Sequence, residues 1–444
     1  MNQSNRNYWL KSGSYSLILG LQNLIFNFGG FYFLIRIIDK SSFGIWTLFI
    51  ATTSLSDVIR SGLVQNTMIK FLSFDAKKDH PEIITASFLV NSTLSLIFIL
   101  ITASLAAWLS RLWHYPGLVP MFYLYSMVYF LQGILLQFQW LEQAFLSFVG
   151  VYLSSLIRQG GFFIYILVCF LFNINIPLIN LIYIQIIMLL ISTIVEYFFI
   201  RKNLAFSFKE TGIWIKRLTN YGKFIFGTSI VSMLNYSVKQ MMIGTILSPE
   251  MAGTFGVSQR IISLAEIPNS ALSTILFPQS AKRFATEGKD AIAYLYEKSV
   301  GAIQALLFPS LIFLFLFPRF VVHFVAGGRF EDAVPIVQVT ILFCLLDPIG
   351  RMFGTIMDSI GKPNINFLLT CIFTTVCLTL NFIMIKKMGI MGSVYATIIA
   401  DLSIYAVMLV ILHKSLQINP LNCARYALRF YPEFVRTYIR PIFY

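Results

Sequence analysis

The sequence predicts an all-α, polytopic membrane protein of about 12 transmembrane helices, and three observations carry that prediction. Hydrophobic residues make up 57% of the 444 positions and charged residues only 12%, against about 25% charged in a soluble domain. The apolar runs are long and continuous, where the strands of a membrane barrel would alternate in units of about ten residues. Lys and Arg gather in alternate connecting segments, as they do in a chain threaded through a bilayer.

Inside hydrocarbon every backbone N–H and C=O must be satisfied without water, and a helix does this within its own segment. Spans are expected at 13–37, 43–65, 84–109, 119–141, 148–172, 178–200, 219–246, 251–280, 298–325, 332–358, 365–387 and 389–413. Each supplies the roughly 20 residues needed to cross about 30 Å, and the longer ones have length to tilt. The first run is long enough to be a retained span rather than a cleaved signal peptide.

An even number of spans puts both ends on one side. With that side as the cytoplasm, the inner segments collect Arg6 and Lys11, then Lys70, Lys77 and Lys78, then Arg201, Lys202, Lys209, Lys216 and Arg217. Lys282, Arg283, Lys289, Lys298 and Lys362 continue the series, and the outer loops hold only Lys40, Arg111, Arg329, Lys386 and Lys387. Both termini are therefore expected in the cytoplasm. The net charge of +14 records this bias. No cluster of stacking aromatics and basic residues accompanies it, so no nucleic-acid partner is expected.

From residue 414 the composition changes. Arg425, Arg429, Arg436 and Arg440 are spaced 4, 7 and 4 apart with Tyr, Phe and Leu between them. On a continuous helix they share one face, which predicts a basic cytoplasmic tail, 414–444, lying on anionic membrane lipids and broken in two by Pro432.

The halves of the chain can be superposed with a shift of about 209 residues. FGIWTLFIATTSLSDVIRSGL from Phe43 then lies on AGTFGVSQRIISLAEIPNSAL from Ala252, with Gly44 on Gly253, Asp57 on Glu266, Ser61 on Ser270 and Leu63 on Leu272. This puts span two on span eight, as a duplication of six spans requires. It predicts an N-terminal six-helix lobe, 1–205, and a C-terminal one, 206–413, in parallel orientation, an arrangement that transporters use with the substrate site between the halves.

Ionisable groups within spans cost about 2.5–3.5 kcal/mol each on insertion scales. Eight cations fall there: Arg36, Arg60, Arg158, Lys223, Lys239, Arg260, Arg319 and Arg351. Arg36, Lys223 and Arg319 lie near span ends, where they can snorkel to headgroups. Arg60 follows Asp57 by three residues and Arg351 follows Asp347 by four, both pairing distances on a helix. Arg158 lies mid-span with no carboxylate near it in sequence. Lys239 and Arg260 flank the short turn at Ser248, Pro249 and Glu250, so their helices are expected to be antiparallel neighbours with the two cations at similar depth. A hydrated cavity receiving an anionic headgroup would reconcile them. Pairing with Glu266, Asp347 or Asp401 is the other reading. The candidate substrate-binding residues are thus Arg260, Lys239, Arg60 and Arg158, the candidate coupling or pairing carboxylates Asp57, Glu266, Asp347 and Asp401, and the candidate hinges Pro268 and Pro278, with Pro309 a further bend.

Nothing points to catalysis. Cys169, Cys344, Cys371, Cys377 and Cys423 form no C-x-x-C pair, and the four histidines are scattered. No metal or other cofactor is expected. No G-x-x-x-x-G-K-[ST] phosphate loop occurs, so the chain is not expected to hydrolyse ATP.

QRIISLAEIPNSALSTILFPQSAKRF (259–284) resembles span eight of the lipid-linked oligosaccharide and lipid II flippases, which belong to the multidrug/oligosaccharidyl-lipid/polysaccharide exporter superfamily. IGTILSPEMAGTFGVSQR before it, MDSIGKPN at 357–364 and GIMGSVYATIIAD at 389–401 resemble further segments of the same family. The resemblance implies two lobes around a central cationic cavity lined by spans one, two, seven and eight, with Arg260 on the lipid pyrophosphate. Lys239 departs from the pattern, because many relatives carry an acidic residue there. This favours anion binding over a simple cation-coupled scheme. The first span lacks the arginines of lipid II flippases, Arg36 lying only at its outer end, which favours an O-antigen or polysaccharide repeat-unit flippase of a bacterial inner membrane. The expected substrate is an undecaprenyl-pyrophosphate-linked oligosaccharide, with a polysaccharide polymerase and a chain-length regulator as partners. One alternative is a multidrug antiporter of the same superfamily, which would want an acidic cavity. Another is a membrane-embedded glycosyltransferase or polymerase, which would want a large external loop, and the external loops here are short.

Overall fold

The computed structural model describes residues 22, 25–74, 79–145, 147–221 and 223–434. Most of the first expected span, the inner cations Arg6, Lys11, Lys77 and Lys78, and the tail residues Arg436 and Arg440 lie outside them. The described residues form helices joined by short turns, in two compact units, Met1–Met233 and Leu234–Tyr444.

In the first unit, α1 (Ile25–Ile37) leads to α2 (Lys40–Thr53) through Asp39, whose carboxylate accepts from the Ser42 amide at 2.9 Å and caps α2. Burial would raise the Asp39 pKa, but the bonds from the Ser42 hydroxyl and amide outweigh it and hold the carboxyl below its usual range. Span two is broken. α2 ends at Ser54, α3 (Leu55–Arg60) follows, a π-helical segment covers Ser61–Gln65, and α4 (Asn66–Phe74) completes it. The cause is local. Thr52, Thr53, Ser54 and Ser56 turn their hydroxyls back onto the carbonyls of Leu48, Phe49, Ala51 and Thr53, in competition with the helical ladder.

α5 (His80–Leu112), α6 (Leu118–Ala144), α7 (Val149–Leu171) and α8 (Leu178–Ile200) are continuous and apolar, and they pack as α5 on α6, α6 on α8 and α7 on α8. They leave Leu96, Leu100, Trp108, Phe130, Ile194 and Phe198 at least 50% exposed. Water would not tolerate such a surface, whereas lipid does. The loop after span six is not plain: it contains α9 (Thr211–Tyr221), whose Trp214 is buried against Phe71 with ring centroids 5.6 Å apart. Ser207 is tied to α5 as well, its amide to Thr85 and its hydroxyl to Glu82. These contacts carry the first unit past residue 205, and the division falls inside α10 (Lys223–Ile246).

In the second unit α10 turns into α11 (Pro249–Ile262), capped by the Ser248 hydroxyl, which accepts from the Met251 amide at 3.2 Å, with Pro249 at the first helical position. Gln240 donates to the Ala252 carbonyl at 2.7 Å, so the two helices form the expected antiparallel hairpin. A 3-10 turn at Ser263–Ala265 separates α11 from α12 (Glu266–Glu287). The break thus lies ahead of Pro268, which occupies the first turn of α12, where its missing donor is tolerated. The helix continues through position 278.

α13 (Lys289–Leu316) starts earlier than the ninth expected span and runs through Pro309. It ends well before 325, because Pro318 opens a separate helix, α14 (Pro318–Ala326). α15 (Ala333–Phe343) and α16 (Asp347–Ser359) make one span bent by 55°. MDSIGKPN is the turn that follows: Gly361 adopts φ +81°, Asp358 accepts from Asn366, and Pro363 opens α17 (Pro363–Leu416). This long element is two spans joined at Gly389, where φ is +63° and ψ is −148°. Gly392 lets the second half close on the first, since a Cβ there would fall on the Met384 carbonyl. Ser393 donates to Asn381 at 2.6 Å across the same hairpin.

α18 (Pro420–Phe434) does not stand alone. It docks on α13 at Gly301, where an added Cβ would come within 2.6 Å of the Cys423 carbonyl. Glu297 accepts from the Asn419 amide and the Asn422 side chain, and the Tyr431 hydroxyl donates to the Ala305 carbonyl at 2.6 Å. Arg425 and Arg429 remain exposed beside Leu421 and Leu428. Pro432 lies inside the helix rather than breaking it.

By length and composition 7 helices can cross a membrane, or 8 with the bent pair. Counting α17 as two spans, and adding α1, α10 and the broken α11–α12, yields the arrangement of about twelve. α10 and α11–α12 are the polar exceptions, carrying Asn235, Lys239, Gln240, Arg260, Glu266 and Asn269.

Candidate functional site

The ionisable residues singled out in the sequence gather separately in each unit. In the first, Arg60 is 0% exposed. Its guanidinium turns inward and donates from Nη2 to the Ser95 hydroxyl and the Tyr129 carbonyl, both at 3.0 Å. Nη1 lies 3.7 Å from Asp57, the pairing that the three-residue spacing predicts. Asp57 also accepts from Gln132 at 2.7 Å, and it interacts electrostatically with Arg158, whose sequence offers no nearby partner. Three helices are joined this way: Asp57 comes from α3, Gln132 from α6 and Arg158 from α7. Gly133 makes room for the arrangement, since a Cβ there would stand 2.9 Å from the Ser95 hydroxyl and 3.8 Å from the Arg60 guanidinium carbon. Arg60 therefore neither snorkels nor presents a surface to a substrate in this arrangement.

In the second unit Lys239 is 8% exposed. Its ammonium donates to the Thr397 hydroxyl at 3.4 Å, lies 5.6 Å from the centroid of the Phe255 ring, and faces the charge of Asp401. Asp401, Asp347 and Glu266 are close enough for their charges to interact, so three of the four candidate carboxylates come together here. The Tyr405 hydroxyl donates to Asp347 at 3.1 Å, while Arg351 donates to Ser270 at 3.2 Å. The pair expected between Asp347 and Arg351 is not formed: Asp347 opens α16 and points to α17, and Arg351 points to α12.

Arg260 lies at the C-terminal end of α11, just before the 3-10 break, and its charge faces the Tyr236 hydroxyl. Lys239 lies opposite Phe255, five residues earlier. At a rise of about 1.5 Å per residue the two cations differ in depth by roughly 7 Å. They are antiparallel neighbours, offset along the helix axis rather than at one level. Glu142 and Glu196 are not among the sequence candidates, because carboxylates were weighed there only as partners of cations. Glu196 lies within the last turns of the sixth apolar run, 178–200, and Glu142 just past the end of the fourth, 119–141.

The fold, with its long apolar helices, is that of a multi-pass membrane protein. A family model described as polysaccharide biosynthesis protein matches residues 33–335, and the chain belongs to that family. The chain is 22% identical over 343 residues to the lipopolysaccharide biosynthesis protein WzxC of Escherichia coli K12, covering 75% of this chain and 66% of that one. It is 23% identical over 316 residues to the membrane protein MJ1068 of Methanocaldococcus jannaschii, covering 68% of this chain and 59% of that one. The chain thus spans less than two thirds of the length of either relative. Among solved structures, an inward-facing multidrug-resistance MATE family transporter of the MOP superfamily superposes with a TM-score of 0.73 at 12% identity, covering 89% of this chain and 94% of that one. The lipid II flippase MurJ in its inward closed conformation superposes with a TM-score of 0.71 at 14% identity, covering 96% and 93%. These likenesses establish the shared fold.

Proposed function

We propose that the protein is a flippase that moves an undecaprenyl-pyrophosphate-linked oligosaccharide across a bacterial inner membrane by alternating access. Membership of the polysaccharide biosynthesis family carries the reading. The buried Lys239 and the Arg260 at the broken α11–α12 span support it, since an anionic headgroup needs cations in the membrane and a transporter needs a point that bends. Arg260, at the end of α11, is the first choice for the pyrophosphate. Lys239 sits nearer the Ser248–Glu250 turn, enclosed among its own partners, and sets the local charge. The driving force is an ion gradient or the membrane potential, worth about 2.3 kcal/mol per charge per 100 mV. No bond is made or broken in the substrate. Both termini are assigned to the cytoplasm on the Lys and Arg bias, and a polymerase and a chain-length regulator would act on the product.

The experiment is to replace Arg260 by Ala in cells that depend on this protein, with its membrane level checked. Loss of surface polysaccharide with build-up of the lipid-linked precursor is the expected outcome. A second reading, a multidrug antiporter, draws on the carboxylates Glu266, Asp347 and Asp401 gathered in the second unit. Normal polysaccharide with altered resistance to cationic dyes would select it.

A further inference from the structure

Where α6, α7 and α8 meet at one end of the first unit, two carboxyl groups are buried that no reading above uses. Glu142 is 2% exposed and Glu196 is 0% exposed. Glu142 is well supplied with donors. Its Oε1 accepts from the Ser147 hydroxyl at 2.6 Å and the Gly150 amide at 3.0 Å, and its Oε2 accepts from the Val151 amide at 2.7 Å. Both amides belong to the first turn of α7, so the carboxylate sits on the positive end of that helix. Only glycine fits at 150, because a Cβ there would collide with Glu142 Oε2 and stand 2.9 Å from Phe199. Glu142 is thus the member whose oxygens are already supplied with donors.

Glu196 is its opposite. Both of its oxygens are enclosed and neither takes a hydrogen bond from the described residues. Its polar neighbours are Glu142 and Ser154. Ser154 already accepts from Gln139 at 2.9 Å and directs its own hydrogen to the Val151 carbonyl. No cation approaches: among the described residues neither glutamate has an ion pair, Arg201 beyond the end of α8 lies over the Phe198 ring, and Lys202 is exposed. From α5 the titratable groups at this end are His80, packed on the Phe145 ring, and Glu82, bonded to the Ser207 hydroxyl. From α7 the pair is met by the Gly150 and Val151 amides and by Ser154. Two adjacent carboxylates in such a site would suffer both desolvation and mutual repulsion. One proton relieves both, because a protonated Glu196 can donate to the Glu142 carboxylate.

We propose that Glu142 and Glu196 form a binding site for one exchangeable proton, taken up from water by Glu196 and shared with Glu142. On the flippase reading this is the coupling ion, but the site itself does not depend on that reading. The test is infrared difference spectroscopy on the reconstituted full-length protein during pH steps, in choline and in sodium buffers, with no substrate present. Wild type should show a protonated-carboxyl band that declines as pH rises and is missing from Glu196→Gln, an isosteric change that keeps the fold by donating an amide to Glu142. A band of equal size in wild type and Glu196→Gln would overturn the proposal. So would a band that no pH step alters, or one seen in choline and abolished by sodium, which would make the ligand a metal cation. The coupling role has its own readout: a proton gradient should accelerate transport by wild type and leave Glu196→Gln unmoved, and an equal response from both would refute that role without touching the spectrum.

Discussion

Lys239 reaches from α10 to Thr397 in the second half of α17, with 3.4 Å between ammonium and hydroxyl, and it brings its charge to bear on Asp401. A buried cation so held is tied to one carboxylate more than to the rest of the cluster. Lys239→Met should leave Asp401 uncompensated, and adding Asp401→Asn should recover part of the loss. A double-mutant cycle on the thermal unfolding of the detergent-solubilised protein should show a coupling of about 0.5–3 kcal/mol. Strict additivity of the two changes would contradict the assigned partnership.

Arg60 is buried between two helices, donating to the Ser95 hydroxyl and the Tyr129 carbonyl, while its partner Asp57 is part-exposed. Removing the arginine leaves the buried Ser95 hydroxyl and Tyr129 carbonyl without this donor, a cost of about 1–3 kcal/mol. Arg60→Ala should therefore lower thermal stability or the amount inserted, more than Arg60→Lys does. A variant that is normally stable yet selectively defective in transport would instead make Arg60 a substrate contact.

Gly389 owes its place to a backbone conformation that side chains disfavour, and its strain on replacement is about 1–3 kcal/mol. Gly389→Ala should lower the unfolding temperature, while Gly212→Ala, with open space around its Cβ position, should be close to neutral. Equal effects of the two would argue against the bent junction in α17.

Gly301 lets α18 lie against α13. Gly301→Leu should displace the helix, and limited trypsin digestion should then cut at Arg425 and Arg429 several-fold faster than in wild type. An unchanged digestion rate would mean that the docking does not depend on this close approach.

Much of the architecture was legible because hydrocarbon thickness sets a length that apolar runs either meet or miss. The spans formed by α5, α6, α7 and α8 agree with the expected ones to within a few residues, apart from extensions of α5 at its start. Ends were harder where polar residues continue a helix beyond the bilayer: α13 begins at Lys289, and α9 forms in a stretch that hydropathy marks only as a loop. Breaks were misplaced for a different reason. Proline marks where a ladder is weakened, but the chain yields one step earlier, at Ser263–Ala265, and in span two it yields to serine and threonine hydroxyls with no proline at all. Partners within one turn, such as Asp57 and Arg60, could be read from spacing. Partners on other helices could not, which is why Arg351 was assigned to Asp347 rather than Ser270, and why Arg60 was counted among cavity residues. Glu142 and Glu196 come from helices 4 and 6 of the expected order and meet only in the folded unit.

The central claim is tested most directly with the purified protein in liposomes carrying a fluorescent undecaprenyl-pyrophosphate oligosaccharide on one leaflet. A membrane-impermeant lectin reports the sugar that reaches the other side. The account predicts lectin-accessible sugar that grows with time in the presence of the protein, at least tenfold more slowly with Arg260→Ala at equal reconstitution, a factor corresponding to about 1.4 kcal/mol. No protein-dependent appearance of sugar, under any ion gradient or membrane potential, would contradict it.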